Sequence, residues 1–161
     1  ISLQYEDYTA ENSRPVSIAG GDVKESFTNR TYLGKSDKTY NRDDMLLVME
    51  TKEQMAGKPV VVLIQPARPF VPAEVEPYAD AMLLGFGVSD NAFLDLLSGE
   101  AEPYGLLPMQ LPADMKTVEE QFEDVGRDME CYVDADGNAY DFAYGVNWSG
   151  VIDDERVKRY R

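Results

Sequence analysis

Histidine is absent from this sequence of 161 residues, and cysteine occurs once, at Cys131. Without histidine the chain has no Ser-His-Asp triad and no imidazole metal ligand, and Cys131 has no imidazole beside it to activate its thiol. A single cysteine also excludes an internal disulfide. We therefore expect Cys131 to be a buried or half-buried structural residue, and we expect no metal and no other cofactor.

Basic residues and long apolar runs are also scarce. The chain has 15 Lys and Arg residues against 30 Asp and Glu residues, which gives a net charge of -15. Such a surface repels phosphate backbones and anionic headgroups. No run approaches the roughly 20 apolar residues of a membrane-spanning helix. We expect a soluble chain without nucleic-acid or membrane partners, and its compartment stays open, since a bacterial-type cytoplasm and periplasm both fit.

The first 42 residues are polar and irregular, with aromatic side chains scattered among them. A segment of this length without periodicity is unusual in a compact domain unless it is functional or belongs to an interface. We therefore predict that residues 1–42 form an active-site loop or pack on another domain. The chain begins with Ile1 rather than Met, which suggests that it was trimmed or cut from a longer one.

Apolar periodicity next predicts a βαβ unit. A helix is expected over Asp43–Ala56, with methionines and a valine on one face. The continuous apolar run Val60–Ile64 is typical of a parallel strand that is covered on both faces, and Ala81–Phe86 shows the same pattern. A short helix over Pro72–Ala79 would connect the two strands with a right-handed crossover.

Turn and cap residues predict where helices and turns begin and end in the second half of the chain. Asp90 is predicted to cap a helix that Gly99 ends, and Thr117–Glu120 reads as a capping box. The pair Asp136–Gly137 lies between two alternating segments and predicts a β-hairpin. The charged tail Asp153–Arg161 is expected to be a short surface helix or an extended arm.

Two short motifs imitate ligand sites and fail on spacing. Asp134–Asn138 starts like a calcium loop, but its glycine comes too early and Gly145 stands where the last ligand belongs. Gly85-Phe86-Gly87 lies between a strand and a helix, yet Asp90 replaces the third glycine of a dinucleotide site. A hairpin turn explains the first motif, and the carboxylate excludes a pyrophosphate from the second.

Five motifs occur in a specific order between residues 58 and 148. They are Lys58-Pro59, Arg68-Pro69, Ser89-Asp90-Asn91-Ala92, Glu102–Pro108 and Phe142–Trp148. In this order and spacing they resemble the C-terminal domain of family 3 glycoside hydrolases. The chain differs from the family pattern at Ser89-Asp90, where the family has two glycines, and at Tyr104, where it has serine.

The resemblance implies a fold and an activity. The fold would be a three-layer α/β/α sandwich with a mostly parallel sheet and a C-terminal β-hairpin, present in part over residues 43–152 and followed by the charged tail, 153–161. The family consists mostly of retaining, exo-acting β-glycosidases, β-glucosidases among them, which remove terminal β-linked sugars from carbohydrate substrates. Their aspartate nucleophile lies on an N-terminal (β/α)8 barrel, and this chain is too short to hold one. The chain would thus supply one wall of a site, with the barrel as its missing partner, and would be inactive alone.

The resemblance also implies that the acid/base of the reaction lies before the Lys-Pro strand. Glu25, five residues ahead of Arg30, is the leading candidate, because apolar neighbours such as Phe27 would raise its pKa by desolvation. Asp37, five residues ahead of Arg42, is the weaker candidate. Phe27 and Arg30 are the candidate substrate-binding residues, although a glutamate paired with Arg30 in a solvated loop remains the alternative.

Two other functions stay open at the level of sequence. A non-catalytic carbohydrate-binding or interaction module of the same fold would use exposed tyrosines and Trp148 to stack on sugar rings. A flavodoxin-like domain of unrelated function would share the βαβ pattern. The Leu-Leu-Pro stretch and the terminal aromatic motif do not follow from that second alternative.

Overall fold

Four helices and four short strands make up the described part of the chain. The computed structural model describes residues 42–66, 69–121 and 125–160. The helices and strands are α1 (Arg42–Gln54), β1 (Val61–Ile64), β2 (Ala81–Leu84), α2 (Asp90–Ser98), α3 (Met115–Glu120), β3 (Val146–Asn147), β4 (Gly150–Val151) and α4 (Glu155–Tyr160). The strands form one parallel pair and one antiparallel hairpin. The predicted α/β class is confirmed at this level.

The parallel pair β1–β2 is the centre of the fold. Val61 aligns with Ala81 and Ile64 with Leu84, so the two observed strands pair over their whole length. The predicted runs were longer, since they included Val60 before β1 and the residues up to Phe86 after β2. The main chain continues this ladder beyond the strands, because Gly85 N donates to Ile64 O at 2.8 Å. Both predicted strands are therefore confirmed, together with their parallel direction.

The connection between β1 and β2 differs from the prediction. In place of one α-helix over Pro72–Ala79, the chain makes two 3-10 turns, Pro72–Glu74 and Glu76–Tyr78. Pro77 is the reason, because its ring and its missing N–H disfavour the interior of an α-helix. The whole crossover lies between Ile64 and Ala81, and Val75 between the two turns is buried.

One face of the parallel pair holds the hydrophobic core. Val62 and Ile64 are buried there, and Met82 and Leu84 of β2 pack beside them. The amphipathic face predicted for α1 covers this side through Val48, which is 4% exposed. The remaining buried members of the cluster are Val60, Phe70, Val75, Leu107 and Leu111.

The opposite face of the pair is open. Side chains alternate along a strand, so this face consists of Val61, Leu63, Ala81 and Leu83. Val61 is 42% exposed, Ala81 is exposed, and the two leucines are only half-buried. Parallel sheets normally have both faces covered. We call these four residues the open face, and the second helical layer expected of a sandwich does not cover it in the described part of the chain.

A charged contact ties α1 to the start of β1. Lys52 Nζ lies 2.6 Å from Asp80 Oδ2, and the same oxygen accepts a hydrogen bond from Val60 N at 2.7 Å. The hydrogen bond from Lys52 is the main cause that lowers the pKa of Asp80, and the bond from Val60 adds to it. Asp80 thus stays ionised and holds the residue before β1 next to α1 through these two contacts.

The helix starts lie near their predicted positions, but other residues cap them. Asp90 is the first residue of α2 rather than its N-cap, which is Ser89. Asp114, and not Thr117, caps α3, since its Oδ1 accepts from Thr117 N at 2.7 Å. Gly99 ends α2 as predicted, with a left-handed φ of 79° that glycine adopts without strain.

The predicted chain reversal at Asp136–Gly137 is confirmed, although its arms do not form strands. Val133 and Ala139 make a single antiparallel bridge, and Tyr140 N donates to Tyr132 O at 2.8 Å. The assigned two-stranded hairpin, β3–β4, lies further along and encloses Trp148 and Ser149. The chain thus reverses twice near its C-terminus.

The charged tail forms a helix, which was one of its two predicted forms. Within α4, Val157 is 1% exposed, so the helix buries one side chain although most of its residues are charged. Arg156 joins Asp154 through an ion pair of 2.7 Å at the start of this helix. The hydrogen bonds from Arg156 are the main cause that lowers the pKa of Asp154.

Candidate functional site

The four site residues predicted from the sequence lie outside the described residues. Glu25, Phe27, Arg30 and Asp37 all precede α1. Their roles therefore stay predictions. The described residues still show the surfaces on which such a segment could act.

The carboxyl ends of β1 and β2 form one rim of the fold, where ligands of parallel α/β sheets commonly bind. Gln65 follows β1 directly and reaches across to the loop after β2. Its Nε2 donates to Val88 O at 2.6 Å, and its Oε1 accepts from Gly87 N at 3.2 Å. A single side chain thus bonds one main-chain N–H and one main-chain carbonyl of the neighbouring loop. Gln65 belongs to none of the sequence motifs, and its place right after a buried strand is the signal for it.

The loop after β2 is built around a glycine that has no room for a side chain. A Cβ at Gly85 would lie 2.5 Å from Phe93 Cζ and 2.6 Å from a methyl group of Val88. The next glycine, Gly87, has a φ of 77°, which explains the second glycine of the rejected dinucleotide motif. Gly85 therefore serves the packing of Phe93 of α2 against the rim, and Gly87 serves the turn of the loop.

The rim presents apolar side chains to solvent. Phe86 is 42% exposed and Val88 is 41% exposed. Among the described residues, the carboxyl groups with a displaced pKa are Asp80, Asp114 and Asp154, and in each case the pKa is lowered by hydrogen bonds. An acid catalyst needs a raised pKa instead. Among the described residues, no carboxyl group shows the raised pKa that is typical of an acid catalyst.

Three tyrosines and a glutamate join the C-terminal reversal to the β1–β2 connection. Tyr132 donates its hydroxyl proton to Glu76 Oε2 at 2.7 Å, and the ring centroids of Tyr132 and Tyr140 lie 5.3 Å apart, edge to face. Tyr144 extends the cluster, 5.1 Å from Tyr140. Burial, reinforced by Glu76, raises the pKa of Tyr132 to about 12. These phenols stay protonated at neutral pH and act as structural contacts.

The thiol of Cys131 is half-buried, as predicted. Gln110 Nε2 lies 3.2 Å from its sulfur and 2.8 Å from Asp141 Oδ1. Burial first, and the charge of Asp141 second, raise the pKa of the thiol to about 11. A thiol of this kind is a poor nucleophile at neutral pH, because little of it is ionised.

Two segments, 102–107 and 144–148, run side by side at the C-terminal end of the fold. Leu107 N donates to Tyr144 O at 2.7 Å, and Trp148 N donates to Glu102 Oε1 at 3.3 Å. Between these bonds Gly145 approaches Gly105 so closely that a Cβ at Gly145 would overlap the carbonyl oxygen of Gly105. Glycine at position 145 is therefore needed for the contact.

Replacing Gly145 tests this contact against a matched glycine on the other segment. We expect Gly145→Ala to lower the free energy of unfolding by about 1–3 kcal/mol, because the overlapping atom belongs to the backbone. Gly105→Ala meets no atom within 4 Å. It should leave stability unchanged or raise it by up to about 1 kcal/mol. Urea denaturation of both variants measures the difference, and equal effects would contradict the close approach.

Metal ligation and membrane insertion find no support within the described ranges. No group of three or more His, Cys, Asp or Glu side chains there could hold a metal ion. Asp134 instead accepts from the main-chain N–H groups of Asp136 and Asn138, at 3.0 and 2.8 Å, which confirms the turn interpretation of the calcium-like motif. Within the same ranges, no helix has the length and apolar character needed to cross a membrane.

Comparisons with known proteins identify the family of the chain. The model described as "Glycosyl hydrolase family 3 C-terminal domain" matches residues 16–148. The chain is 39% identical over 91 residues to "Probable beta-glucosidase C" of Aspergillus oryzae, an alignment that covers 56% of this chain and 13% of the relative. It is 43% identical over 72 residues to "Beta-glucosidase C" of Emericella nidulans, with 45% of this chain and 12% of the relative covered. No solved structure matches the chain.

The matched range extends the resemblance upstream of Lys58, where the sequence motifs begin, and it includes the segment that carries Glu25 and Asp37. The alignments cover only about an eighth of the length of these curated relatives. The family match accounts for most of the chain. The chain therefore belongs to the family of glycosyl hydrolase family 3 C-terminal domains.

Proposed function

We propose that this chain is the C-terminal part of a retaining, exo-acting β-glucosidase-like enzyme and forms one wall of its active site. The observation that carries the proposal is the open face of β1–β2 in a chain whose relatives are named beta-glucosidases and are several times longer. An uncovered parallel pair needs further secondary structure, and an upstream (β/α)8 barrel domain, with the remaining layers of an α/β/α sandwich, would provide it.

Retaining hydrolysis needs two carboxyl groups about 5–5.5 Å apart. In this proposal the barrel carries the nucleophile, and residues 1–42 carry the acid/base, which is Glu25 or, with less support, Asp37. Phe27 and Arg30 would contact the sugar. The rim with Phe86 and Val88 supports this arrangement, since it offers an apolar surface whose loop is already fixed by Gln65.

The first test is turnover of an aryl β-glucoside by the purified chain. We expect none above the buffer rate, because one carboxyl group cannot both attack the anomeric carbon and protonate the leaving oxygen. A chimera in which this chain replaces the matching region of the Aspergillus oryzae relative should hydrolyse the glucoside. The same relative truncated before that region is the control and should be inactive.

Two outcomes would contradict the proposal. Robust turnover by the isolated chain would show that it holds a complete site. A chimera that folds but stays inactive, while the intact relative is active, would show that this chain does not supply its wall. The alternative function, a non-catalytic carbohydrate-binding module, predicts sugar binding in both settings without any contribution to turnover.

A further inference from the structure

The loop that follows β2 is anchored at three points. We call Gly85–Ser89 the rim loop. Its first residue continues the parallel ladder through the bond from Gly85 N to Ile64 O, and its last residue is the N-cap of α2. Between these ends, the third anchor is a side chain that follows the other strand, Gln65. A loop with three anchors has one conformation before a ligand arrives, which lowers the entropic cost of binding.

The side-chain amide of Gln65 matches the two main-chain groups that it binds. An amide has a donor and an acceptor, and the rim loop uses both, since Oε1 accepts from Gly87 N at 3.2 Å and Nε2 donates to Val88 O at 2.6 Å. A carboxylate lacks the donor, and an apolar side chain lacks both groups. The same Oε1 lies 3.0 Å from the position that a Cβ of Gly85 would take. The amide therefore lies close against the main chain of the loop.

Through this amide, Gln65 also fixes the backbone that carries Phe86. The N–H of Gly87 belongs to the peptide bond that joins Phe86 to Gly87, and Gln65 Oε1 binds this group directly. Phe86 is 42% exposed just beyond the carboxyl end of β2, where ligands of parallel sheets commonly bind. Its side chain offers apolar contact and no hydrogen-bonding group. Phe86 is therefore suited to an apolar part of a ligand rather than to hydroxyls.

We propose that Gln65 is a positioning residue, which holds Phe86 in place to contact the leaving group of the substrate. This inference rests on the proposed function, in which Phe27 and Arg30 are the candidates that contact the sugar. The rim loop then faces the part of the substrate beyond the glycosidic oxygen. The site should therefore prefer β-glucosides whose leaving group carries an apolar chain or ring, because Phe86 removes part of that surface from water.

Hexyl and methyl β-glucoside measure this preference in the active chimera. Their leaving groups have nearly the same basicity, so the demand for proton donation is matched and the apolar length differs. We expect kcat/KM for hexyl β-glucoside to exceed that for methyl β-glucoside about tenfold. Phe86→Ala should reduce this ratio about fivefold. The control is Leu94→Ala, at an exposed leucine of α2, which should leave the ratio unchanged.

A double variant separates positioning from direct contact. Gln65→Leu removes both hydrogen bonds and should lower the hexyl-to-methyl ratio about threefold through KM, with kcat within about twofold of the unmodified chimera. Gln65→Leu combined with Phe86→Ala should lower the ratio no further than Phe86→Ala alone, because Gln65 acts through Phe86. A residue that only stabilises the fold would not produce this dependence on Phe86. Circular dichroism verifies that each variant folds.

A pH profile of the isolated chain tests the two hydrogen bonds without catalysis. In Gln65→Glu a protonated carboxyl group keeps one donor and one acceptor, whereas the ionised form turns an acceptor towards Val88 O. Folding therefore raises the pKa of the introduced carboxyl above its ordinary value of about 4.3, and stability is lost as pH rises through the raised pKa. From about pH 5 to about pH 8, the urea midpoint should fall by about 0.5 M relative to the unmodified chain. Gln54→Glu, at an exposed glutamine of α1, is the control and should show far less change.

Each outcome decides one part of the proposal. An active chimera whose ratio does not respond to Phe86→Ala would overturn the leaving-group contact and leave the proposed function intact. Additive losses in the double variant would overturn the positioning role of Gln65, and so would equal pH profiles of Gln65→Glu and Gln54→Glu. An inactive chimera would contradict the proposed function and the leaving-group contact with it, while the pH profile still decides whether Gln65 holds the rim loop.

Discussion

Replacing Glu25 with glutamine in the active chimera should lower kcat/KM for glycosides with poor leaving groups by about 10²–10⁴-fold. Such leaving groups need protonation as the glycosidic bond breaks, and an amide cannot supply the proton. A dinitrophenyl glucoside needs little protonation to depart, so its kcat/KM should fall far less. The comparison of the two substrates isolates the acid step from any general loss of structure.

Azide provides the second readout for Glu25. A small anion attacks the glycosyl-enzyme intermediate without a general base, so azide should restore turnover of the activated substrate in Glu25→Gln. The matched control is Glu100→Gln, which changes an exposed carboxyl group just after α2 and should alter neither measurement. If Asp37→Asn shows the leaving-group dependence and azide rescue while Glu25→Gln does not, the acid/base is Asp37.

Replacing Ile64 with alanine should lower the free energy of unfolding of the isolated chain by about 2–5 kcal/mol. Ile64 is fully buried, with 0% of its surface exposed, in the centre of the core between α1 and the parallel pair. The substitution removes apolar contacts and leaves a cavity that the short strands cannot close. Urea denaturation measures the loss.

Val61 is the matched control, since it lies on the same strand and points to the open face. In the isolated chain Val61→Ala should cost about 0.5 kcal/mol or less, because the side chain is already partly in solvent. In the chimera the same substitution should cost about 1–2 kcal/mol, because in the proposed arrangement the upstream domain covers the face and buries both methyl groups. An equal cost in the two settings would argue that nothing packs on the open face.

Local sequence patterns predicted the strands well, because their signal is physical and short-ranged. The run Val60–Ile64 is β-branched except at Leu63, apolar throughout and preceded by a proline, and both its strand and its parallel direction are confirmed. The helix expected over Pro72–Ala79 was wrong, since Pro77 imposed 3-10 turns in a segment whose apolar spacing resembles a helix. The observed N-cap residues lie one to three positions before the predicted ones, because several Asp, Ser and Thr side chains near each helix start can accept from the same N–H groups.

Local sequence patterns were less informative where a segment forms its hydrogen bonds with residues far away in the sequence. The arms around Asp136–Gly137 alternate like strands, but Leu111 takes part of their pairing: Tyr132 N donates to Leu111 O at 3.0 Å, and Leu111 N donates to Tyr140 O at 3.0 Å. The sequence around Leu111 has no pattern that predicts this contact. The assigned hairpin was missed although the Ser149–Gly150 pair is a turn signal. The role proposed for Glu25 would depend on contacts with another domain, which local patterns do not specify.

The short crossover of the parallel pair has a kinetic consequence. Asp80 N donates to Val60 O at 2.8 Å, so this pair of strands is closed by contacts about 20 residues apart in sequence. Folding rates rise as contacting residues lie closer along the chain, and parallel pairing is usually slow because its crossovers are long. Here the connection is limited to the residues between Ile64 and Ala81, which keeps the loop-closure entropy modest. The pair is therefore expected to form early, as a local nucleus whose open face is ready before any upstream segment docks.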